Sequence, residues 1–115
     1  MQGGNSNAVY NQIMKLYKFS VVIKPAVENK ETYFQVRVPA LPEIVTFGNS
    51  LEEAVFMAQD ALELVVLSRL EDGENIPTDK KPSKISSKET VKEILISVVH
   101  NVNSTPFENA KSALA

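Results

Sequence analysis

A capped amphipathic segment between residues 50 and 70 constrains the fold more than any other feature of the chain. Ser50 and Glu53 have the spacing of a capping box, in which each side chain satisfies a backbone N–H left unpaired at a helix start. Apolar residues then recur at helical spacing and form one stripe: Leu51, Ala54, Val55, Ala58, Ala61, Leu62 and Val65. The pattern predicts a helix that ends near Leu70 and packs on a sheet.

Three segments before this helix predict the sheet. Residues 16–24 and 32–38 alternate apolar and polar side chains, as half-buried strands do. Pro25 is expected to end the first strand, because proline has no N–H to donate to the ladder. The short polar connector at residues 28–31 predicts an antiparallel hairpin, and residues 44–47 predict a brief third strand.

The chain after the helix begins with a linker at residues 74–88 that is rich in Pro, Ser and Lys. Residues 89–102 have apolar spacing that fits a helix, whereas their many β-branched side chains favour a strand. We expect a strand over about residues 94–102. From Thr105 onwards, a second capping pattern with proline at the first helical position predicts a short terminal helix.

These elements predict one small α+β domain of 115 residues, with a β-β-β-α-β order. A small antiparallel sheet of three to four strands packs on one main helix. We expect a flexible N-terminal extension at residues 1–13, the α+β domain at residues 14–103, and a short C-terminal helix or tail at residues 104–115.

Composition excludes several classes of function. The net charge of −2 gives no broad attraction to nucleic-acid phosphates. The absence of cysteine excludes disulfides and thiolate metal sites, and it is typical of a small domain in a reducing cytosol. The longest apolar runs are too short to cross a bilayer. We therefore expect a cytoplasmic protein without a membrane segment.

The acidic residues and the single histidine do not predict catalysis. A two-metal hydrolase needs several carboxylates that converge. Four acids on the helix project away from its apolar stripe, as on a solvated face: Glu52, Glu53, Asp60 and Glu63. The other acids considered lie near the helix end or in loops: Glu71, Glu28, Glu31 and Glu43. His100 has no cysteine or neighbouring acid with which to build a metal site or a nucleophile and base pair. We expect no enzyme, no metal and no cofactor.

Four lysines lie in or next to the linker, at positions 80, 81, 84 and 88. No aromatic residue among them is available to stack on a base, and no glycine-rich phosphate loop accompanies them. The pattern is typical of a solvated linker, so we expect no direct binding of nucleic acid.

Large apolar residues on the far side of the predicted helix exceed what a solvated face requires. Phe56, Leu64 and Leu67 fall opposite the stripe, with Met57 nearby. Each forgoes roughly 1.5 to 3 kcal/mol if it stays in water. A second copy, the terminal helix or another partner could cover them. We favour self-association into a homodimer or higher homo-oligomer, because exposed apolar patches of this kind commonly mark interfaces.

One set of residues between positions 33 and 62 forms a pattern of its own. Its members are Tyr33, Pro39, Leu41, Pro42, Thr46, Gly48, Ser50, Glu53, Ala54, Ala58 and Leu62. In this order and spacing they resemble the HicB-like antitoxin family, with the resemblance extending over about residues 16–77.

The resemblance implies a partial RNase H-like fold without the nuclease residues. It also implies an antitoxin that binds and neutralises a small basic RNA-cleaving toxin of the HicA type, commonly as a dimer or larger oligomer. The alternative is a stand-alone oligomeric protein of this fold without a toxin partner or a DNA-binding role. A metal-dependent nuclease is a third class, which the residues do not favour.

Three features depart from the family's pattern. Glu43-Ile44 stands where the family usually has Gly-Cys, so this turn cannot rely on the freedom of glycine at positive φ. Met57 stands where the family often has asparagine. Many members carry a separate DNA-binding domain after the fourth strand, and the residues after Asn103 are too few to form one, so transcriptional autoregulation is not expected.

Overall fold

The structure is a computed structural model and describes residues 9–104. Its elements are β1 (Val9–Glu28), β2 (Glu31–Arg37), β3 (Val45–Gly48), α1 (Leu51–Glu71) and β4 (Thr90–Ser104). The strands form one antiparallel sheet in the order β3-β2-β1-β4. The predicted α+β class and the β-β-β-α-β order are confirmed.

The core lies between α1 and one face of the sheet. Four helix residues at four-residue spacing are fully buried: Ala54, Ala58, Leu62 and Val66. They meet the alternate residues of β1, β2 and β4 that point to the same face, among them Phe19, Val21, Ile23, Val36, Ile94 and Ile96. The predicted stripe is therefore confirmed at its centre. Leu51 is an exception, because it is the first residue of the helix and stays 38% exposed.

Strand β1 is much longer than the sequence predicts. It begins at Val9, so residues 9–13, which we expected in a flexible extension, belong to the sheet, and it does not end at Pro25. The reason is non-local, because β4 pairs with β1 from Val9 to Ile23 and supplies a ladder that side-chain alternation does not reveal. Pro25 lies beyond the last β4 pair, so its missing N–H removes no bond on that side.

The predicted hairpin between the first two strands is confirmed, with a turn of two residues. Asn29 and Lys30 have φ values of 52° and 65°. Positive φ at both central residues is the signature of a type I′ turn, whose twist matches that of the flanking strands. Pairing of Glu28 with Glu31 closes the hairpin.

The ambiguous segment after the linker is a strand, as predicted, and the helical alternative is wrong. Strand β4 is longer than expected and pairs antiparallel with β1 from Thr90 to Ser104. This pairing favours the strand, since β-branched residues pack well on a pleated surface. The helix predicted from Thr105 lies outside the described residues.

The linker between α1 and β4 is fastened to the sheet by a carboxylate. Asp79 accepts hydrogen bonds from the backbone N–H of Ser20 at 2.7 Å and from its hydroxyl at 2.9 Å. Ser20 is buried and lies past the last pair between β1 and β2, which joins Val22 to Arg37. Asp79 therefore satisfies donors that have lost their neighbouring strand.

We predict that Asp79→Ala lowers the free energy of unfolding by about 1–3 kcal/mol, because it leaves two donors of buried Ser20 without an acceptor. Lys84→Ala, on the exposed part of the same linker, is the control and should change it by less than about 0.5 kcal/mol. Urea unfolding monitored by circular dichroism measures both. Equal effects of the two substitutions would show that Asp79 does not hold the linker.

Gly48 sets how closely the helix approaches the sheet. A Cβ at this position would lie 2.8 Å from the Cα of Ala54 and 2.8 Å from the backbone carbon of Glu53. Both neighbours are backbone atoms of the first helical turn, so no side chain can move away. The position requires glycine for space.

We therefore predict that Gly48→Ala lowers the free energy of unfolding by about 2–3 kcal/mol, as overpacking against backbone does. The adjacent exposed substitution Asn49→Ala should stay within about 0.5 kcal/mol of the wild type. Thermal and urea unfolding provide the comparison. A Gly48→Ala protein as stable as the control contradicts the close approach.

Candidate protein-binding surfaces

The start of α1 is fixed by the predicted cap. The hydroxyl of Ser50 accepts a hydrogen bond from the N–H of Glu53 at 3.0 Å. The Glu53 carboxylate in turn accepts from the N–H of Asn49 at 2.6 Å, one residue before the position that a capping box normally uses. The cap fixes the first residue of the helix and therefore which side chains face away from the sheet.

The outer helix surface is the stripe of side chains opposite the buried one. It consists of Glu52, Phe56, Asp60 and Leu64 at four-residue spacing, all exposed. Phe56 is 65% and Leu64 69% exposed. The helix also carries five acidic residues and a single basic one, Arg69. The surface is therefore acidic, with two large apolar side chains set among its carboxylates.

The four apolar residues that we expected on one outer face are separated by the structure. Phe56 and Leu64 lie on the outer helix surface, Met57 lies at its margin, and Leu67 packs against the core. The predicted position on the outer face is therefore wrong for Leu67, and the role of the four residues in an interface stays a prediction. A four-residue repeat advances by about 40° around a helix, so the buried direction rotates between Ala54 and Val66 and brings Leu67 towards the sheet.

The flank of the helix that carries Leu67 borders strand β4. A shallow groove of about 270 Å³ runs between them, which we call the β4 groove. It is lined by Asp60, Glu63, Leu64, Leu67, Ser97, Val98 and Val99. The helix flank and the edge strand thus form one continuous surface.

Beyond the end of β2, strands β1 and β4 continue as a two-stranded ribbon. Its open face, turned away from α1, exposes Met14, Leu16, Leu95 and Val99. The register brings them together, because Met14 pairs with Val99 and the neighbouring pairs are Leu16 with Ser97 and Lys18 with Leu95. We call this set the ribbon patch. Sequence reasoning missed it, although Leu16 stands out of phase with the core-facing residues that follow it.

A second apolar site on the open face lies at the other edge of the sheet. The rings of Tyr33 and Phe47 meet edge to face with centroids 6.1 Å apart. Together with exposed Val45 they border a cleft of about 450 Å³ whose rim includes Glu28 and Glu31. Only Tyr33 was singled out from the sequence. The alternation within β3 puts Val45 and Phe47 on the same face, which was a usable signal.

Three of the linker lysines are brought together by the fold. Lys80, Lys81 and Lys84 line a cleft of about 570 Å³ with Arg37, over an apolar floor that includes Val38. Two of these cations have acidic partners. The ammonium of Lys81 lies 3.4 Å from a carboxylate oxygen of Glu93, and the guanidinium of Arg37 lies 3.7 Å from Glu89. The pairing offsets part of the positive charge.

His100 lies on the helix-facing side of β4, in phase with Ile96 and Val98 and paired with Ile13. Its Nε2 atom is buried without a hydrogen-bond partner among the described residues. Within residues 9–104, no three acidic, histidine or cysteine side chains lie close enough to hold a metal ion. No helix in this part of the chain is long and apolar enough to cross a membrane.

The comparison with protein families agrees with this geometry. The model of the HicB-like antitoxins of bacterial toxin–antitoxin systems matches residues 19–113. The chain belongs to the HicB-like antitoxin family. It is similar to Antitoxin HicB 2 of Photorhabdus laumondii, with 45% identity over 51 residues, which is 44% of this chain and 37% of that relative. The match therefore spans little more than a third of the relative's length. No solved structure matches the chain.

The residues that carry the HicB resemblance build the junction between helix and sheet. Leu41 is fully buried, and its backbone closes two turns, with the N–H donating to Val38 and the C=O accepting from Ile44. Gly48 and Ser50 fix where the helix starts. The apolar motif residues Ala54, Ala58 and Leu62 form part of the buried face of the helix. The pattern therefore specifies the fold, and the exposed surfaces lie largely outside it.

The departure from the HicB pattern at Glu43-Ile44 has a structural role of its own. Ile44 is buried, and the Glu43 carboxylate accepts a hydrogen bond from the guanidinium of Arg69 at 2.7 Å. Among the described residues, positive φ occurs at Asn29, Lys30 and Gly73, so this turn does not need glycine. The bond from Arg69 lowers the pKa of Glu43 from its ordinary value of 4.5 and raises that of Arg69.

We predict that this pair makes stability depend on acid. Because the folded pKa of Glu43 is lowered, its contribution is present above about pH 4.5 and is lost as the pH falls through the lower folded value. The difference in unfolding free energy between wild type and Glu43→Gln should therefore shrink in acid. Urea titrations at several pH values measure it, with the same pair compared in an Arg69→Met background. A difference that is constant with pH contradicts the prediction.

Proposed function

We propose that this HicB-like protein is an antitoxin that binds and neutralises a small basic RNA-cleaving toxin of the HicA type. The outer helix surface is the observation that carries the proposal. A toxin that binds the phosphates of an RNA backbone needs lysine and arginine side chains, and an acidic surface attracts these groups. Membership of the antitoxin family supports the same role.

Neutralising the toxin by binding its RNA-contacting surface requires no catalytic residues on the antitoxin. Carboxylates such as Glu52 and Asp60 would occupy the toxin's cationic groups in place of RNA phosphates. Phe56, exposed between them, would supply an apolar anchor of the kind that dominates binding energy at protein interfaces. The acids would then govern the rate of capture, and the aromatic ring the lifetime of the complex.

We also propose that the protein self-associates into a homodimer or a higher homo-oligomer. The ribbon patch supports this proposal, since four large apolar side chains exposed together on two strands favour a covered state. The same patch favours a second candidate function, a stand-alone oligomeric protein of this fold without a toxin. The gene neighbourhood separates the two, because a toxin requires a small basic reading frame beside this one.

Charge reversal on the outer helix surface tests the toxin proposal. We predict that Glu52→Lys slows association with the toxin from the adjacent reading frame by about tenfold at low salt, and that added salt reduces the difference. Phe56→Glu should mainly speed dissociation. Stopped-flow mixing or surface plasmon resonance measures both rates. Rescue from growth arrest on co-expression is the cellular readout.

Glu28→Lys is the matched control, with the same change of charge at the β1–β2 turn and beside the Tyr33–Phe47 cleft. It should leave the association rate within about twofold of the wild type. If Glu28→Lys slowed association more than the charge reversal on the helix did, the toxin site would lie at the aromatic cleft instead. The absence of both a complex and relief of growth arrest would refute the antitoxin proposal itself.

A further inference from the structure

The outer edge of β4 is a long strand edge with no neighbour within the described residues. β4 is the last strand in the sheet order and pairs only with β1 there. Every second residue along such an edge directs its N–H and C=O outwards, which makes the edge a template for another strand. The opposite edge, β3, has only four residues. Any strand added to the sheet therefore has its longest template at β4.

Lysine and glutamate occur in β4 only near its start, at Lys92 and Glu93, and the rest of the strand has no feature that blocks such pairing. Residues 94–102 contain no Lys, Arg, Asp, Glu, Pro or Gly. Natural edge strands are usually protected by inserted charges, prolines or bulges. A segment of high β-propensity and low charge left open in water is an aggregation hazard. A partner strand on this edge would remove that hazard.

Apolar side chains flank this edge on both faces of the sheet. On the open face, Leu95 and Val99 of the ribbon patch are exposed. On the helix face, Leu64 and Leu67 line the β4 groove beside Val98, and Asp60 and Glu63 line the same groove. A partner that paired with the edge would cover both layers at once. A peptide that only extended the sheet would leave the helix side of the groove open.

We propose that β4 pairs antiparallel with β4 of a second copy of this chain, about a two-fold axis near the middle of residues 94–102. A two-fold axis perpendicular to the sheet places identical strands antiparallel and satisfies the outward backbone groups of both copies. The two sheets become one sheet of eight strands. The two α1 helices lie on the same side of it, with their β4 grooves facing each other.

The size of this contact is sufficient for a specific dimer. Nine paired residues extend about 30 Å, and a strand with its covering helix is about 20 Å deep, so each copy contributes about 600 Å². The resulting total of about 1,200 Å² lies at the lower end of stable interfaces. Of the outer helix surface, Asp60 and Leu64 line the β4 groove and belong to the contact, whereas Glu52 and Phe56 lie outside it and remain available. The inference rests on the proposed self-association and does not depend on toxin binding.

Cysteine scanning tests the pairing directly, because the chain has no cysteine of its own. The scan places one cysteine at a time at the exposed open-face positions of β4, with Leu95→Cys, Ser97→Cys, Val99→Cys and Asn101→Cys. Rotation about the two-fold axis keeps every residue on its own face of the sheet, and directly paired residues share a face. The axis therefore passes beside one residue, which pairs with its own copy in the second chain. Moving two residues from that axis separates the two copies of a position by about 13 Å, too far for a disulfide.

We expect a high yield of disulfide-linked dimer at one position, or for one pair of positions, and little at the others. If the axis passes through an open-face residue, that variant alone cross-links with itself on mild oxidation. If it passes through Val98, mixtures of Ser97→Cys and Val99→Cys cross-link, and neither variant does so alone. Val45→Cys, exposed on the opposite edge of the sheet, is the control and should not cross-link.

Sedimentation provides the second measurement. The wild type is expected at twice the mass of the chain, and Val99→Lys should weaken dimerisation by at least about tenfold, whereas Val45→Lys should not. Circular dichroism confirms that each variant is folded. A wild-type monomer at all concentrations, or cross-linking through Val45→Cys alone, overturns the proposal. Toxin binding by the Val99→Lys monomer would leave the antitoxin proposal intact, so the two proposals fail separately.

Discussion

The close approach of one helix to one sheet supports every other feature of this protein. Gly48 leaves space for the backbone of the first helical turn, and Ala54 and Ala58 continue the contact with small side chains. Larger residues then fill the gap as the helix proceeds to Leu62 and Val66. Because this packing fixes the rotation of the helix, it also decides which acidic and apolar side chains remain outside.

Local signals in the sequence predicted the parts of the fold that depend on neighbouring residues. The Ser50 cap, the stripe through Ala58 and Leu62, and the hairpin at residues 28–31 all arise within a few positions, and all are present. Strand β1 was misjudged because its N-terminal half is held by residues near the other end of the described chain. Alternation within one segment contains no information about such a partner.

The candidate surfaces were less predictable for the same reason. A helical wheel correctly predicts that Phe56 and Leu64 are exposed. It treats the buried direction as constant along the helix, however, and therefore misplaces Leu67. The ribbon patch arises only when Met14 is aligned with Val99, which requires the register of β1 and β4. Likewise, the sequence predicts only a solvated linker around the lysines. The hydrogen bonds of Asp79 to Ser20 hold this segment on the sheet, and three of the lysines line a cleft with Arg37.

The pairing of β1 with β4 also has a consequence during synthesis. Val9 pairs with Ser104 and Ile23 with Thr90, so β1 cannot pair along this length until β4 has left the ribosome. Contacts that join distant parts of a chain form slowly, since a long loop has to close first. Until then, β2 is the only described strand with which β1 can pair, and the exposed Met14 and Leu16 are open to chaperones or to premature association with neighbouring chains.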